Sequence, residues 1–428
     1  ITKLVSDTKQ ANKTFYRTER LEAQTGNDSM KFNYNGISQF SSIRNTASSS
    51  TLDRLGFKSE GTNLNLRYQN NTIIADSLFG IKYNLSNFDL NKYGFNHVTS
   101  EKTIGLYQNN NASQLAILTD GIYNNIDFTV NTLDNQTSLL NTLSGLNLTY
   151  FKRAPSQLFD KDAKSLNQRV AKNVSNSNKD FVTITYRVIA PPHSQLYVSI
   201  PNISWSDDNN HSLSITVNGM TKNQVTDNTF DFFDLGYFET ESMVTIKLCF
   251  PGNKAISFDN PSFYALDTQN YQIAMDTINE RDSKVTTSKN KVFVDYSSKT
   301  NASLFFTIPY DKGWTATINH KKVKIHRAQK GFMKVDVPSG KGKVYDNLNG
   351  KYITTESSNK PGGMKIGNLY FSYKIENTEK TVDGQQLKGW LVTESYSKTG
   401  LNGSWSTPRE LAFYPNVKME GNAFRYNP

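Results

Sequence analysis

Apolar residues recur at every second position through much of this chain. Phe181–Ile189 reads FVTITYRVI and alternates throughout, and Gln195–Ile200, Leu213–Val217 and Val244–Phe250 follow with the same habit. Such alternation places one face of a strand in a core and the other toward solvent. Pro191-Pro192, Pro201-Asn202 and Asn218-Gly219 separate the runs. Short strands divided by polar turns predict a β-sandwich, jelly-roll or immunoglobulin-like, over residues 166–258. A second series runs through Lys291–Tyr296, Leu304–Ile308, Trp314–Ile318, Val323–Ile325 and Phe332–Val337. Asp311-Lys312-Gly313, Asn319-His320-Lys321 and Pro338-Ser339-Gly340 supply its turns. It predicts a second sandwich module over 259–344, with Trp314 in the core because it alternates with Ala316 and Ile318.

Residues 1–165 read as a mixed α/β domain. Phe15–Glu19, Thr72–Ala75, Thr103–Tyr107 and Gln114–Thr119 fit strands, and Ser50–Leu55 fits one helical turn. The clearest helix is Asn135–Leu146, whose Leu139, Leu140, Leu143 and Leu146 share a face, with Asp134 as the expected N-cap. Tyr264–Ile278 fits either a strand or a short helix. Beyond 344 glycine and tryptophan become denser, and Leu369–Ile375 and Gly389–Thr393 predict a small β unit over 345–428. The expected class is mainly β with an α/β N-terminal part.

Composition narrows the function. The 25 Phe and 22 Tyr among 428 residues favour half-buried sheet faces. The net charge of +10 suits nucleic acid, an anionic membrane or an anionic wall polymer. No dense Lys/Arg run with interleaved aromatics occurs, so nucleic acid is not expected. The single cysteine, Cys249, rules out an intrachain disulfide and fits an exported bacterial protein that does without them. No apolar run is long enough to span a bilayer, and the chain opens on Ile1 without a signal peptide. It reads as a soluble fragment of a membrane-bound parent.

Recognisable reaction chemistry is sparse. His97, His193, His211, His320 and His326 lack metal-ligand spacing, and no GxSxG elbow or phosphate-binding glycine loop is present. No metal, cofactor or catalytic residue is therefore expected. Asp207-Asp208 and the Glu239/Glu241 pair read as surface groups, and Asp231 and Asp234 in FDFFDLGYF as markers of a turn. Trp314, Tyr310, Trp390 and Trp405 are the aromatics that could stack on a sugar, and Trp390 and Trp405 lie near glycines that ease ligand approach. Lys82 either meets a phosphate or pairs with Glu19 or Asp76 while Leu78, Ile81 and Tyr83 pack.

Six blocks in order resemble one family. They are Phe15-Tyr16-Arg17-Thr18-Glu19, Asn35 to Ser42, Asp53-Arg54-Leu55-Gly56, Ser77 to Tyr83, Asn135 to Gly145, and Pro309 to Trp314 with Gly331-Phe332-Met333 and Val337 to Gly340. Together they resemble the extracellular region of YfhO-type bacterial membrane proteins, GT-C-like glycosyltransferases that decorate teichoic acids and related Gram-positive cell-wall polymers. The resemblance implies transfer of a sugar from a polyprenyl-phosphate donor, by an acidic general base in a loop expected before Ile1. This chain would then bind or position the acceptor on the outer face of the membrane without catalysing alone. Its implied partners are an anionic surface glycopolymer and its own membrane domain. Lys82 and Tyr83, in the matching Ser77 to Tyr83 block, are expected substrate contacts; Trp390 and Trp405, beyond the matching blocks, are expected contacts only as aromatics near glycine. The chain departs from the family after Val344, where a final membrane helix is expected. Val344-Tyr345-Asp346-Asn347, Gly350-Lys351-Tyr352 and Lys360-Pro361-Gly362 are instead similar to SH3-like wall-binding repeats. A non-catalytic wall- or glycan-binding module is the alternative, and an independent glycan hydrolase ranks last.

Overall fold

The computed structural model describes residues 1–41, 45–57, 65–68, 71–161, 169–171, 181–205, 211–226, 231–251, 256–288, 290–348, 363–366, 369–382, 385–397, 407–415, 417–420 and 423–426. The chain divides into one unit over Ile1–Leu348 and a second over Asn349–Pro428. It is mainly β, with antiparallel sandwich-like sheets and the helices concentrated around an N-terminal α/β part, as the alternation predicts.

Strands Arg17–Arg20, Ile81–Ser86, Ile104–Asn109 and Phe95–Glu101 lie in that order in the N-terminal sheet; the first pair is parallel and the others antiparallel. Six helices are described: α1 Thr2–Ala11, α2 Asp28–Phe32, α3 Thr46–Arg54, α4 Ile73–Leu78, α5 Thr132–Ser144 and α6 Thr268–Asn279. The run expected as the strand Thr72–Ala75 is instead the start of α4. Thr72 caps it by accepting from the amides of Ile74 and Ala75, and all six helical residues are buried. Full burial on every side overrides the strand preference of adjacent isoleucines. Asn131, not Asp134, caps α5 by accepting from the amides of Leu133 and Asp134. The open stretch from Tyr264 resolves into a strand, Ser262–Asp267, whose last residue caps α6.

The first sandwich packs two sheets. One has the order Met220–Thr226, His211–Val217, Ser242–Pro251, Phe181–Ala190 and Ser156–Lys161; the other has Asp231–Phe238, Ser194–Ile200, Ser262–Asp267 and Phe151–Arg153. Val188, Ile215, Ile246 and Leu248 meet Leu196, Val198, Phe233 and Phe263 in the core between them. The second sandwich is built the same way. Its five-stranded sheet contains Lys291–Ser298, Gly340–Leu348 and Trp314–Ile318, and its four-stranded sheet contains Phe332–Val337, Ala302–Pro309 and Ala116–Leu118. The expected run Val323–Ile325 is divided, with Lys321–Val323 in the five-stranded sheet and Ile325–Ala328 in the four-stranded one. Asn319 and His320, both left-handed, make the tight turn before it. Trp314 is half-buried at the margin of this core rather than within it.

Both four-stranded sheets are buried on their second face as well. Tyr197, Phe232 and Leu266 from one, and Phe305, Ala328 and Phe332 from the other, join α3 to α6 in one central core. This explains why Ser194–Ile200 is buried at all seven positions. Arg17 fastens the N-terminal strand to the second sandwich by donating to Phe79 O at 2.7 Å, Thr307 Oγ1 at 3.1 Å and Thr307 O at 2.7 Å. It does not pair with Glu19. In the second unit, Gly363–Ile366, Leu369–Val382, Gln385–Ser397 and Arg409–Pro415 form an antiparallel sheet, and Val417–Glu420 pairs with Ala423–Tyr426.

Gly331 sits where the second sandwich touches α3. A Cβ there would lie 2.5 Å from Ser48 Cα and 2.8 Å from Ala47 O, both backbone atoms that cannot rotate away. Gly331→Ala is expected to destabilise the protein by about 1–3 kcal/mol, read as a lower thermal midpoint.

Candidate functional site

A cavity of about 500 Å³ opens between the N-terminal sheet and the first sandwich. Its walls are the segment Arg20 to Gly26, the stretch around Leu66 to Tyr68, the loop Phe88 to Lys92, Lys222 to Gln224 and Phe232 to Asp234. Aromatic and charged side chains both line it.

Local sequence fixes the sandwich side. Tyr197 pairs with Asp234 and Leu196 with Gly236, so Leu235 is an extra residue and the strand bulges there. Gly236 has φ +111°, and a Cβ on it would meet Asn91 Nδ2 at 2.9 Å. Its bareness lets the loop dock: Tyr237 N donates to Asn91 O at 3.0 Å, and Asn91 Nδ2 donates to Tyr237 O at 3.0 Å. Gln195, fully buried, accepts from Tyr93 N at 2.9 Å and donates to Asp234 Oδ1 at 2.8 Å. Asp234 also accepts from Gly236 N at 2.7 Å. Asp234, expected to mark a turn, instead lies within a strand, at a bulge, and lines the cavity.

The N-terminal side rests on a buried ion pair. Lys92 pairs with Asp76 of α4, and the two side chains are 8% and 0% exposed. Lys92 also donates to Tyr68 Oη at 3.1 Å and Asn84 Oδ1 at 3.2 Å and lies 4.4 Å from the Phe95 ring centroid. Tyr68 Oη donates to Asp76 Oδ1 at 2.8 Å. Burial, with the Asp76 charge beside it, holds the Tyr68 phenol well above its ordinary pKa. Three buried polar atoms of lining residues, Arg20 Nε, Glu22 Oε1 and Asp234 Oδ2, have no hydrogen bond among the described residues. Burial pushes both the Glu22 and Asp234 carboxyls up, opposed by Lys222, which acts on both. The Lys222 ammonium stands 4.9 Å from the Phe88 ring centroid. The arrangement offers donors, acceptors and ring faces to a polar ligand.

The residues expected from sequence lie elsewhere. Lys82 donates to Asn12 Oδ1 at 2.6 Å, and Asn12 Nδ2 donates to Tyr83 Oη at 2.9 Å. Arg17 pairs with Ile81 and Thr18 with Tyr83, which leaves Lys82 as the bulged residue of its strand. Burial lowers its pKa. Its partner is Asn12, whereas Asp76 has Lys92 and Glu19 has the loop at Ser38. Neither Lys82 nor Tyr83 lines the cavity. Trp390 belongs to the strand Gln385–Ser397 of the second unit, and Trp405 lies outside the described residues. Tyr310 is covered by Arg327, 4.6 Å from its ring centroid. No group of three metal-ligating side chains occurs among the described residues. Arg20, Glu22, Lys92, Lys222 and Asp234 escape sequence reading because no local spacing joins them; the one signal was an aspartate two residues before a glycine in an aromatic strand.

Residues 1–345 match the family described as bacterial membrane protein YfhO, and the chain belongs to that family. Among the described residues no helix is long and apolar enough to cross a membrane. No curated protein matches the chain. Solved structures with similar parts include a Paenibacillus sp. cycloisomaltooligosaccharide glucanotransferase complexed with cycloisomaltoheptaose, 9% identical over 46% of each chain with a TM-score of 0.19. A family two carbohydrate esterase from Cellvibrio japonicus is 9% identical, over 26% of this chain and 33% of that one, with a TM-score of 0.16. A GH2 beta-galacturonidase from Eisenbergiella tayi bound to galacturonate is 7% identical, over 56% of this chain and 47% of that one, with a TM-score of 0.16. This chain spans less than half the length of each, and scores of this size say nothing about what it does.

Two outcomes follow for the buried charges. Lys92→Met leaves the Asp76 carboxylate buried without its cation and is expected to cost about 3–5 kcal/mol, much of it recovered in the Asp76→Asn/Lys92→Met double variant; denaturant titration of the three proteins reads this. Glu19, 1% exposed, accepts from the amides of Ile37 and Ser38 and from Ser38 Oγ, yet burial pushes its carboxyl up to about 7. Between the ordinary glutamate value and that point the folded state holds a proton that the unfolded chain has released, so stability falls as pH rises through this window. Glu19→Gln is expected to flatten the dependence of the thermal midpoint on pH there.

Proposed function

We propose that this chain is the extracytoplasmic part of a membrane glycosyltransferase that moves a sugar from a polyprenyl-phosphate donor to teichoic acid or a related surface polymer. In this reading the transfer step belongs to the membrane-embedded part of the parent, and this region binds and positions the acceptor. Family membership over residues 1–345 carries the proposal. The net charge of +10 supports it, because a basic surface gathers an anionic polymer by long-range attraction. The proposed contacts are Lys82, Tyr83, Trp390 and Trp405. A second reading, a non-catalytic wall- or glycan-binding module, draws on the C-terminal unit, which lies beyond the matched residues.

Purified chain is expected to be retained on immobilised teichoic acid. Retention should fall between roughly 0.1 M and 1 M salt, as the screening length contracts from about 10 Å to about 3 Å. Equal, salt-insensitive retention on wall stripped of teichoic acid would sink the acceptor assignment, and glycan turnover by this chain alone would overturn its catalytic silence.

A further inference from the structure

We propose that the cavity between the Phe88 to Lys92 loop and the strand Asp231–Phe238 is a subsite for one sugar ring, held by its hydroxyls. The inference deepens the acceptor-positioning reading and rests on it. Two carboxylate oxygens, Glu22 Oε1 and Asp234 Oδ2, are shut off from solvent with no hydrogen bond among the described residues. They call for donors from a ligand, and they disfavour a phosphate or carboxylate pressed against them. Arg20 Nε, on a side chain that is 5% exposed, is in the same condition and calls for an acceptor. A hydroxyl meets both needs, since it donates and accepts at one atom. A ring carrying several hydroxyls meets them together.

The remaining wall suits such a ring. Phe88 and Tyr68 supply apolar faces for its C–H groups, and the volume falls within the range of small-molecule sites. Lys222, beside Phe88, acts electrostatically on both Glu22 and Asp234 and favours their charged forms. It also leaves a cation beside Phe88, where the anionic linkage of a polymer would run. The supporting shell is rigid: Gln195 fixes Asp234, and the Asp76–Lys92 pair fixes the loop.

The test is titration of the full chain with methyl glucoside, methyl galactoside and N-acetylglucosamine, followed by ligand-observed NMR and calorimetry, with glycerol phosphate as the sugar-free arm. At least one glycoside is expected to saturate, and glycerol phosphate is not. Asp234→Asn keeps Oδ1 for Gln195 and Gly236 but replaces the second acceptor with a donor, and should weaken binding at least about 10-fold. Phe88→Ala, at the half-buried rim, should weaken it several-fold and serves if the first variant melts early. The proposal fails if no glycoside saturates, or if both variants bind as the parent does. It also fails if glycerol phosphate binds and Asp234→Asn tightens it, which would make the cavity an anion site. Polymer retention that persists while the glycosides fail sinks the subsite and spares the acceptor reading; the reverse result sinks that reading and leaves a sugar site.

Discussion

The first unit depends on one shared core. Two sandwiches each have an interior of their own, yet each also turns the back of its four-stranded sheet toward α3, α4, α5 and α6. Large side chains dominate that junction: Phe57, Phe79, Tyr197, Tyr271, Phe305 and Phe332 are among its members. Burying each such side chain is worth roughly 1.5–3 kcal/mol. A sheet covered on both faces cannot shift register without exposing one of them. The cavity inherits that fixity, because one of its walls is continuous with a sheet clamped from both sides.

Polar groups inside the junction specify how the layers meet. Thr72 Oγ1 donates to Gln136 Oε1 at 2.6 Å, and Gln136 Nε2 donates to Leu55 O at 2.8 Å. Ile73 N donates to Tyr197 Oη at 3.1 Å, and the hydroxyls of Ser77 and Tyr271 share a hydrogen bond at 2.6 Å. Apolar packing alone tolerates sliding; a buried donor left without its acceptor does not. The short helix α4 therefore works as a register pin between α5, α6 and the first sandwich.

Much of this fold is legible in the alternation of apolar residues. Many strands of both sandwiches, such as Phe181–Ala190 and Ser242–Pro251, fall where period two places them, because each has one face in a sandwich core; Asp231–Phe238, expected to hold a turn, does not. Legibility fails where distant segments decide the local structure. Thr72 to Ala75 looks like a strand because isoleucines favour strands in isolation, while its conformation is set by a capping threonine and by surroundings assembled from distant segments. Trp314 shows the opposite limit: alternation gives the face but not the depth, and the start of a strand lies at the core margin. The cavity is least legible of all. Arg20, Lys92, Lys222 and Asp234 come from four separate stretches, and nothing in their spacing announces that a bulge at Leu235 and a bare Gly236 bring them together. The family resemblance read from six scattered blocks fares better, since matched blocks such as Gly331 and Arg17 sit at contacts between layers.

The Arg17 anchor has a bearing on how the chain is made. Its acceptors on Thr307 stand 290 residues downstream. During vectorial synthesis or export, this strand emerges well before Thr307 and cannot take its final anchor until nearly the whole unit has followed. Contacts of such long sequence separation slow folding and prolong exposure of unfinished edges. The first sandwich, whose strands are largely neighbours in sequence, is able to close earlier. The Arg17–Thr307 anchor is thus a late contact, a closing latch rather than a nucleus.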